Sequence, residues 1–306
     1  MNNLTTIFIC GFQNLHHYKY LLFFLLLLLF CVTICGNVMI ITLVSYSKSL
    51  QSPMYFFLSQ LAICDLSLSI DCVPNTLYVV LNEGGTISFA GCLLQYVFFL
   101  ISECTECLLL TVMAYDRYLA ICHPLHYTSI MGHGLCKKLA IMSWLPSLVY
   151  ALISSLSISN LHFCGLNTID HFFCDLAPIL ELSCSDVSFM QVEAIVLTVP
   201  AAICPFLIIM ISYIFIVIAI LKMSSISGRK KAFFTCSSHL TVVCLYYGTV
   251  MVAYMLPKSV QSLTSNKIFA MIYAIVTPSL NPIIYSLRNK DFLDASRNGI
   301  VKLASS

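Results

Sequence analysis

Hydrophobic residues along the chain gather into seven long runs separated by short polar stretches, at 20–46, 54–80, 93–114, 139–158, 194–221, 232–256 and 268–287. A helix needs about twenty apolar residues to cross roughly 30 Å of hydrocarbon, and each run is near or above that length. The fourth run is diluted by Ser143, Pro146, Ser147, Ser154 and Ser155, which a membrane helix accepts when neighbours satisfy its backbone. Pro146 predicts a local kink there, and Trp144 reads as packing. The stretch before the first run lacks a basic leader and a small-residue cleavage site, so that run is expected to be a retained span. The pattern predicts an all-α membrane protein, a seven-transmembrane helix bundle forming one domain. Residues 1–19 lie outside, 20–287 form the bundle, and 288–306 form a cytoplasmic helix and tail. Within the tail, 289–302 reads as a short amphipathic helix on the membrane surface, with Phe292, Leu293 and Ile300 apolar and Arg297 and Lys302 cationic.

Composition agrees with this pattern. Of the 306 residues, 59% are hydrophobic and 9% charged, where a soluble domain carries about 25% charge. A net charge of +2, with no basic block interleaved with aromatics, excludes a nucleic-acid partner. The partner the composition demands is the lipid bilayer. Placing the amino terminus outside puts twelve of the fifteen Lys and Arg on the cytoplasmic side and leaves Lys19, Lys258 and Lys267 outside. That asymmetry obeys the positive-inside rule. It orients a multi-pass chain with its amino terminus outside and its carboxyl terminus cytoplasmic; the membrane expected is the plasma membrane.

Several polar residues sit where lipid makes them expensive. Asp65 falls near the middle of the second run, and a mid-bilayer carboxylate needs a proton, a cation or a donor network. Glu106 lies ten residues before Asp116 in the third run, about 15 Å along a helix, at a depth similar to Asp65. Two such carboxylates either share a proton or hold a cation between them. Asp116 and Arg117 adjoin where the third run leaves the lipid, either as ordinary interfacial anchoring or as an ion pair that can be broken. Gly36-Asn37 in the first run reads as a small residue allowing close helix approach beside a polar one bonded across helices. Pro282 removes a helical hydrogen bond from the seventh run, with Asn281 beside it to occupy the freed polar groups.

Sixteen cysteines mostly lie inside apolar runs, where a free thiol behaves as a small hydrophobe. Cys104-x-x-Cys107 has redox or zinc spacing but lacks a second pair. Cys92, Cys164, Cys174 and Cys184 fall on the oxidising side, where bridges persist, and four cysteines permit three pairings. His123 and His126 flank Pro124 in a cytoplasmic loop and read as an ordinary loop. Asn3-Leu4-Thr5 is an N-glycosylation sequon on the outer segment.

The stretch Met113 to Tyr127, MAYDRYLAICHPLHY, resembles the end of the third helix in rhodopsin-like G-protein-coupled receptors, and among them the odorant receptors. Lys230 to Leu240, KKAFFTCSSHL, nearly matches that family's KAFSTCSSHL, with Phe234 in place of a Ser. Further resemblances are Ser212-Tyr213 after Pro205, Tyr246-Tyr247-Gly248 at an aromatic switch, and Pro278 to Tyr285 at an NPxxY-type hinge. The resemblance implies a disulfide from Cys92 to Cys174 and another from Cys164 to Cys184, closing the long second outer loop as a lid over the bundle. It implies glycosylation at Asn3 and a sodium ion at Asp65 and Glu106, with no other cofactor. Coupling and switching are implied for Asp116, Arg117, Tyr118, Tyr213, His239, Tyr247, Asn281, Pro282 and Tyr285.

The function implied is that of an odorant receptor. A small volatile odorant is expected to meet Phe99, Glu103, Cys104, Thr198, Met251 and Tyr254, and the receptor to activate the stimulatory olfactory heterotrimeric G protein, raising cyclic AMP. Glu103 departs from the family, which more often has a small residue there. It either faces the ligand pocket, favouring a donor-bearing or cationic ligand, or bonds to another helix. Phe99 at the position where amine receptors carry their acid disfavours a biogenic-amine pocket. A lipid or peptide receptor of the same fold is the nearest alternative. A transporter predicts repeated halves with broken helices, which the sequence does not show, and no phosphate loop, nucleophile elbow or zinc signature supports an enzyme.

Overall fold

The computed structural model describes residues 4–12, 17–164, 167–255, 263–287 and 292–297. Among them are α1 (Lys19–Tyr46), α2 (Pro53–Asn82), α3 (Phe89–Cys122), the short α4 (Pro124–Ile130), α5 (His133–Ser159), the short α6 (Leu176–Leu180), α7 (Ser188–Thr198), α8 (Cys204–Lys222), α9 (Ile226–Met255), α10 (Leu263–Met271) and α11 (Thr277–Leu287). The π-helical turns Val199–Ile203 and Ile272–Val276 join α7 to α8 and α10 to α11. Among the described residues six helices are long and apolar enough to cross a membrane, Ser188–Lys222 and Asn266–Tyr285 among them. The remaining predicted crossing is α9, whose first turns carry Arg229, Lys230 and Lys231 and whose middle carries Ser237, Ser238 and His239.

The helices outrun the apolar stretches that announce them. α3 continues to Cys122, so Asp116 and Arg117 lie within the helix and not at its terminus, and both are buried. α5 is assigned as one helix through Pro146. Pro205 opens α8 immediately after the first π turn, which holds Pro200. The backbone irregularity of this crossing is therefore a widened turn upstream of Pro205, where Pro200 and Pro205 both lack a donating N–H.

The all-α expectation also needs an addition. Thr6–Ile9 forms β1, antiparallel to β2 (Gly85–Ser88) and parallel to β3 (Thr168–Ile169), in the order β2-β1-β3. Ile7 and Ile9 face inward at strand period, joining Val79, Tyr96, Ile158 and Ile169 in an apolar cluster. This sheet caps one end of the bundle, named the outer end after the expected orientation, and α4 lies at the other, named the inner end. Residues 292–297 are helical and bury Phe292 against the main core. The rest of the expected surface helix lies outside the described residues.

α1 and α11 meet closely because Gly36 has no side chain: a Cβ there would stand 2.8 Å from Pro282 Cβ. The proline frees the carbonyl of Pro278, four residues back, and Asn37 of α1 donates to it at 3.4 Å. Asn37, not Asn281, therefore fills the polar gap that Pro282 opens.

Candidate functional site

A chain of buried polar groups runs down the axis of the bundle. Asn281 of α11 donates its Nδ2 to both oxygens of Asp65 at 3.0 and 3.2 Å and to Glu106 Oε1 at 3.5 Å. One amide thus ties α2, α3 and α11 at one depth, and both acids are buried. Asn281 Oδ1 and Ser69 Oγ, the latter one turn outward of Asp65, are buried without a partner among the described residues. This set of hard oxygen donors suits a cation such as sodium, which takes carboxylate, amide and hydroxyl oxygens. No group of three His, Cys, Asp or Glu arranged for a metal occurs among the described residues.

One turn outward, Tyr246 of α9 donates to Glu103 at Oε2, 2.9 Å, and at the backbone oxygen, 3.0 Å, and lies 3.1 Å from Cys107 Sγ. Glu103 is 8% exposed, and its Oε1 has no partner among the described residues. Tyr246 packs edge-on to Tyr247, which meets Phe206 at 5.0 Å.

At the inner end, Asp116 is fully buried and accepts from Arg117 Nε at 3.0 Å, from Arg117 Nη2, and from Tyr127 of α4 at 2.7 Å. Tyr213 of α8 is hydrogen-bonded to His239 Nδ1 of α9 at 2.7 Å and donates to the Cys236 carbonyl. Tyr118 meets His123 Nε2 at 3.1 Å. The Tyr285 hydroxyl is buried without a partner among the described residues.

The outer end is sealed by loop side chains. Cys174 is bridged to Cys92 and Cys164 to Cys184, the pairing the resemblance implies. Gln95 of α3 donates to the Asp71 carbonyl and accepts from Cys174 N–H at 2.9 Å, stitching α2, α3 and the loop together. Phe172 and Phe173 are wholly buried. Phe173 packs 5.0 Å from Phe99, which lies 6.0 Å from Tyr273, while Phe172 stacks on Phe12 at 5.4 Å. Lys267, midway along α10, pairs with Asp170 and donates to the Gly11 carbonyl at 2.8 Å. It thereby latches the amino-terminal segment and the loop to the last crossing.

The loop also carries a pH dependence. Burial and the neighbouring Lys267 ammonium push the His171 imidazole down to about 4 from its ordinary 6.5. Between those values the unfolded loop binds more protons than the folded one, so stability rises with pH and is lost as pH falls through that window. Amide protection factors across 168–175 are expected to drop as pH falls from about 6.5 to 4, and a flat profile would contradict this.

Of the expected ligand residues, Phe99, Glu103 and Cys104 are buried on α3. Thr198 is instead exposed and hydrogen-bonded with Tyr150 of α5, and Met251 is 39% exposed. The side chain of Tyr254, and Asn3 of the sequon, lie outside the described residues. A groove of about 470 Å³ opens on the flank between α2, α3 and α5, among the exposed Ile141 and Leu145. There Trp144 Nε1 donates to Gln60 at 3.1 Å.

Sequence reasoning missed Tyr127, Gln95, Ser69, Tyr246 as the partner of Glu103, and Lys267 as a latch. Only the last carried a signal, as a lone cation beside the last apolar run.

Comparison with known proteins follows the same lines. The olfactory receptor family matches residues 26–302. The chain is 47% identical to olfactory receptor 11L1 of Homo sapiens over 97% of its own length and 92% of that protein. It is 43% identical to olfactory receptor 1M1 of Mus musculus over 90% of this chain and 88% of that one. Squid rhodopsin superposes with a TM-score of 0.73 at 19% identity, over 93% of this chain and 86% of that structure, a likeness of fold.

Proposed function

We infer, for a chain that belongs to the olfactory receptor family and so to receptors rather than enzymes, a switch held shut by polar bridges between α3 and the later helices. A small volatile odorant binds at the outer end and opens it. The observation that carries the reading is the vertical series on α3: Phe99 under the loop, Glu103 bonded to Tyr246 of α9, Glu106 bonded to Asn281 of α11, and Asp116 with Arg117 at the inner end. A ligand shifts such an equilibrium only by preferring the open form. Here that preference arises when Phe173 gives up its place against Phe99 and Tyr273.

Opening parts α9 from α3 and α8, freeing Arg117 from Asp116 and Tyr213 from His239. The exposed inner groove then takes a segment of the stimulatory olfactory G protein, which raises cyclic AMP. The protein works in the plasma membrane with its amino terminus outside. Volatiles screened on cells carrying a cyclic-AMP reporter test this reading. A receptor that is stained at its amino terminus on intact cells and answers no volatile contradicts it.

Sodium fits the resting state. Asp65 and Glu106 would hold it with the Asn281 amide oxygen, the ion supplying the positive charge that two buried carboxylates lack. Replacing sodium by a bulky organic cation is expected to lower the half-maximal odorant concentration several-fold in the unmodified receptor, and Asp65→Asn to abolish that shift. Sodium sensitivity that survives Asp65→Asn rules the ion out at this place.

A further inference from the structure

We propose that the polar tier immediately outward of the Asp65–Asn281–Glu106 bridge, made by Glu103 and Ser69, seats the ammonium head of a small organic amine. The inference rests on the receptor reading above and narrows its ligand class.

Depth comes first. Asn281 contacts both Asp65 and Glu106, so the two acids stand level. Three residues outward along α3 is roughly 4.5 Å and four along α2 about 6 Å, and the two helices run in opposite directions. Glu103 and Ser69 therefore share one level. Both are more than nine-tenths buried, and both carry an oxygen, Glu103 Oε1 and Ser69 Oγ, with no partner among the described residues. Tyr246 occupies only the other carboxylate oxygen and the backbone carbonyl. The tier is thus short of donors.

Charge decides which donor. Asp65, Glu103 and Glu106 are three buried carboxyl groups on the facing sides of α2 and α3. The ion pairs among the described residues, Lys19–Glu83, Arg117–Asp116 and Lys267–Asp170, all involve other acids. An alcohol supplies one donor and no charge. A primary ammonium supplies three donors and the missing positive charge, in surroundings where charge-assisted bonds are the strong ones. Access follows from Phe99, one turn outward of Glu103. A ligand whose apolar body takes the place of Phe173 against Phe99 and Tyr273 puts its head at Glu103. The acid thus lies one turn deeper than the position where Phe99 excludes an amine-receptor carboxylate.

The test uses the full-length receptor in cells with a cyclic-AMP reporter and matched probes differing only in the head: cyclohexylamine, cyclohexanol and methoxycyclohexane, with the hexyl series beside them. The amine is expected to act at a concentration at least about tenfold below the alcohol and ether, the size of one charge-assisted bond. Glu103→Gln should cut the amine-to-alcohol potency ratio about tenfold or more, and Ser69→Ala by a smaller factor. If Glu103→Gln fails to reach the surface, Glu103→Asp and Ser69→Ala still decide, because each must lower that ratio. Neutral probes acting as well as amines, or a ratio unmoved by these variants, overturns the proposal alone. A surfaced receptor that answers no probe of any head, nor any other volatile, overturns the receptor reading as well.

Discussion

Exchange of Cys92 or Cys174 for serine is expected to cut surface receptor by about tenfold or more, because one covalent bond holds the loop whose side chains close the bundle. Cys174 is wholly buried, its N–H is held by Gln95, and Phe172 and Phe173 just before it fill the outer end. Without the bridge, the segment 168–175 is held by the two-residue pairing of β3 with β1, by backbone bonds from Cys10 and Gly11, by Gln95 and Lys267, and by its own packing. A bridge spanning 82 residues contributes about 4–5 kcal/mol by loop entropy in a free chain. In a chain already confined by a bilayer the figure is nearer 2–3 kcal/mol, since membrane insertion removes part of that freedom first. Removing Cys164–Cys184, separated by 20 residues, should cost less. The Phe163–Ser183 bridge and the Cys184 N–H to His162 carbonyl bond hold that turn independently. Flow cytometry of an amino-terminal epitope reads both effects. Near-normal surface levels of Cys92→Ser would show that packing alone orders the lid.

The helices were legible because hydrocarbon sets a length that few other structures need. Their ends were not, because a helix continues through the headgroup layer, where residues such as Tyr118 and His123 no longer look apolar. That is how Asp116 came to be read at a terminus that lies at Cys122. Asp65 and Glu106 stood out as carboxylates in apolar surroundings, and their depth could be counted along the helix. Their shared partner Asn281 was visible too, but its task was misjudged. A proline announces an orphaned carbonyl, yet nothing in sequence says that Asn37, 241 residues from Pro278, fills it.

The sheet was hidden by its size: four alternating residues at Thr6–Ile9 and two at Thr168–Ile169 carry too little pattern to separate from a loop. Tyr127, Gln95 and Tyr246 are ordinary residues until the fold sets them beside Asp116, Cys174 and Glu103. For the bridges, the residues alone left three pairings open, and the choice came from resemblance.

The second large effect concerns Asp116 and Arg117. The aspartate is buried with two donors, the guanidinium and the Tyr127 hydroxyl, so deleting the arginine strands a buried carboxylate at a cost of about 3–5 kcal/mol. Arg117→Ala also removes the side chain expected to meet the G protein in the open groove, and so is expected to lower odorant-evoked cyclic AMP by more than about tenfold, even in cells selected for equal surface receptor. Asp116→Asn does the opposite. It keeps the shape and the Tyr127 contact but removes the charge that holds Arg117 in place. The closed form loses a charge-assisted bond worth roughly 1.5–3 kcal/mol, and the open population rises about tenfold or more.

The most direct measurement is ligand-free cyclic AMP in cells bearing the unmodified receptor or Asp116→Asn at matched surface density. A severalfold higher ligand-free signal in the variant is the predicted result. An unchanged or lower ligand-free signal, from a variant that still answers odorant, would contradict a bundle held shut by this ion pair.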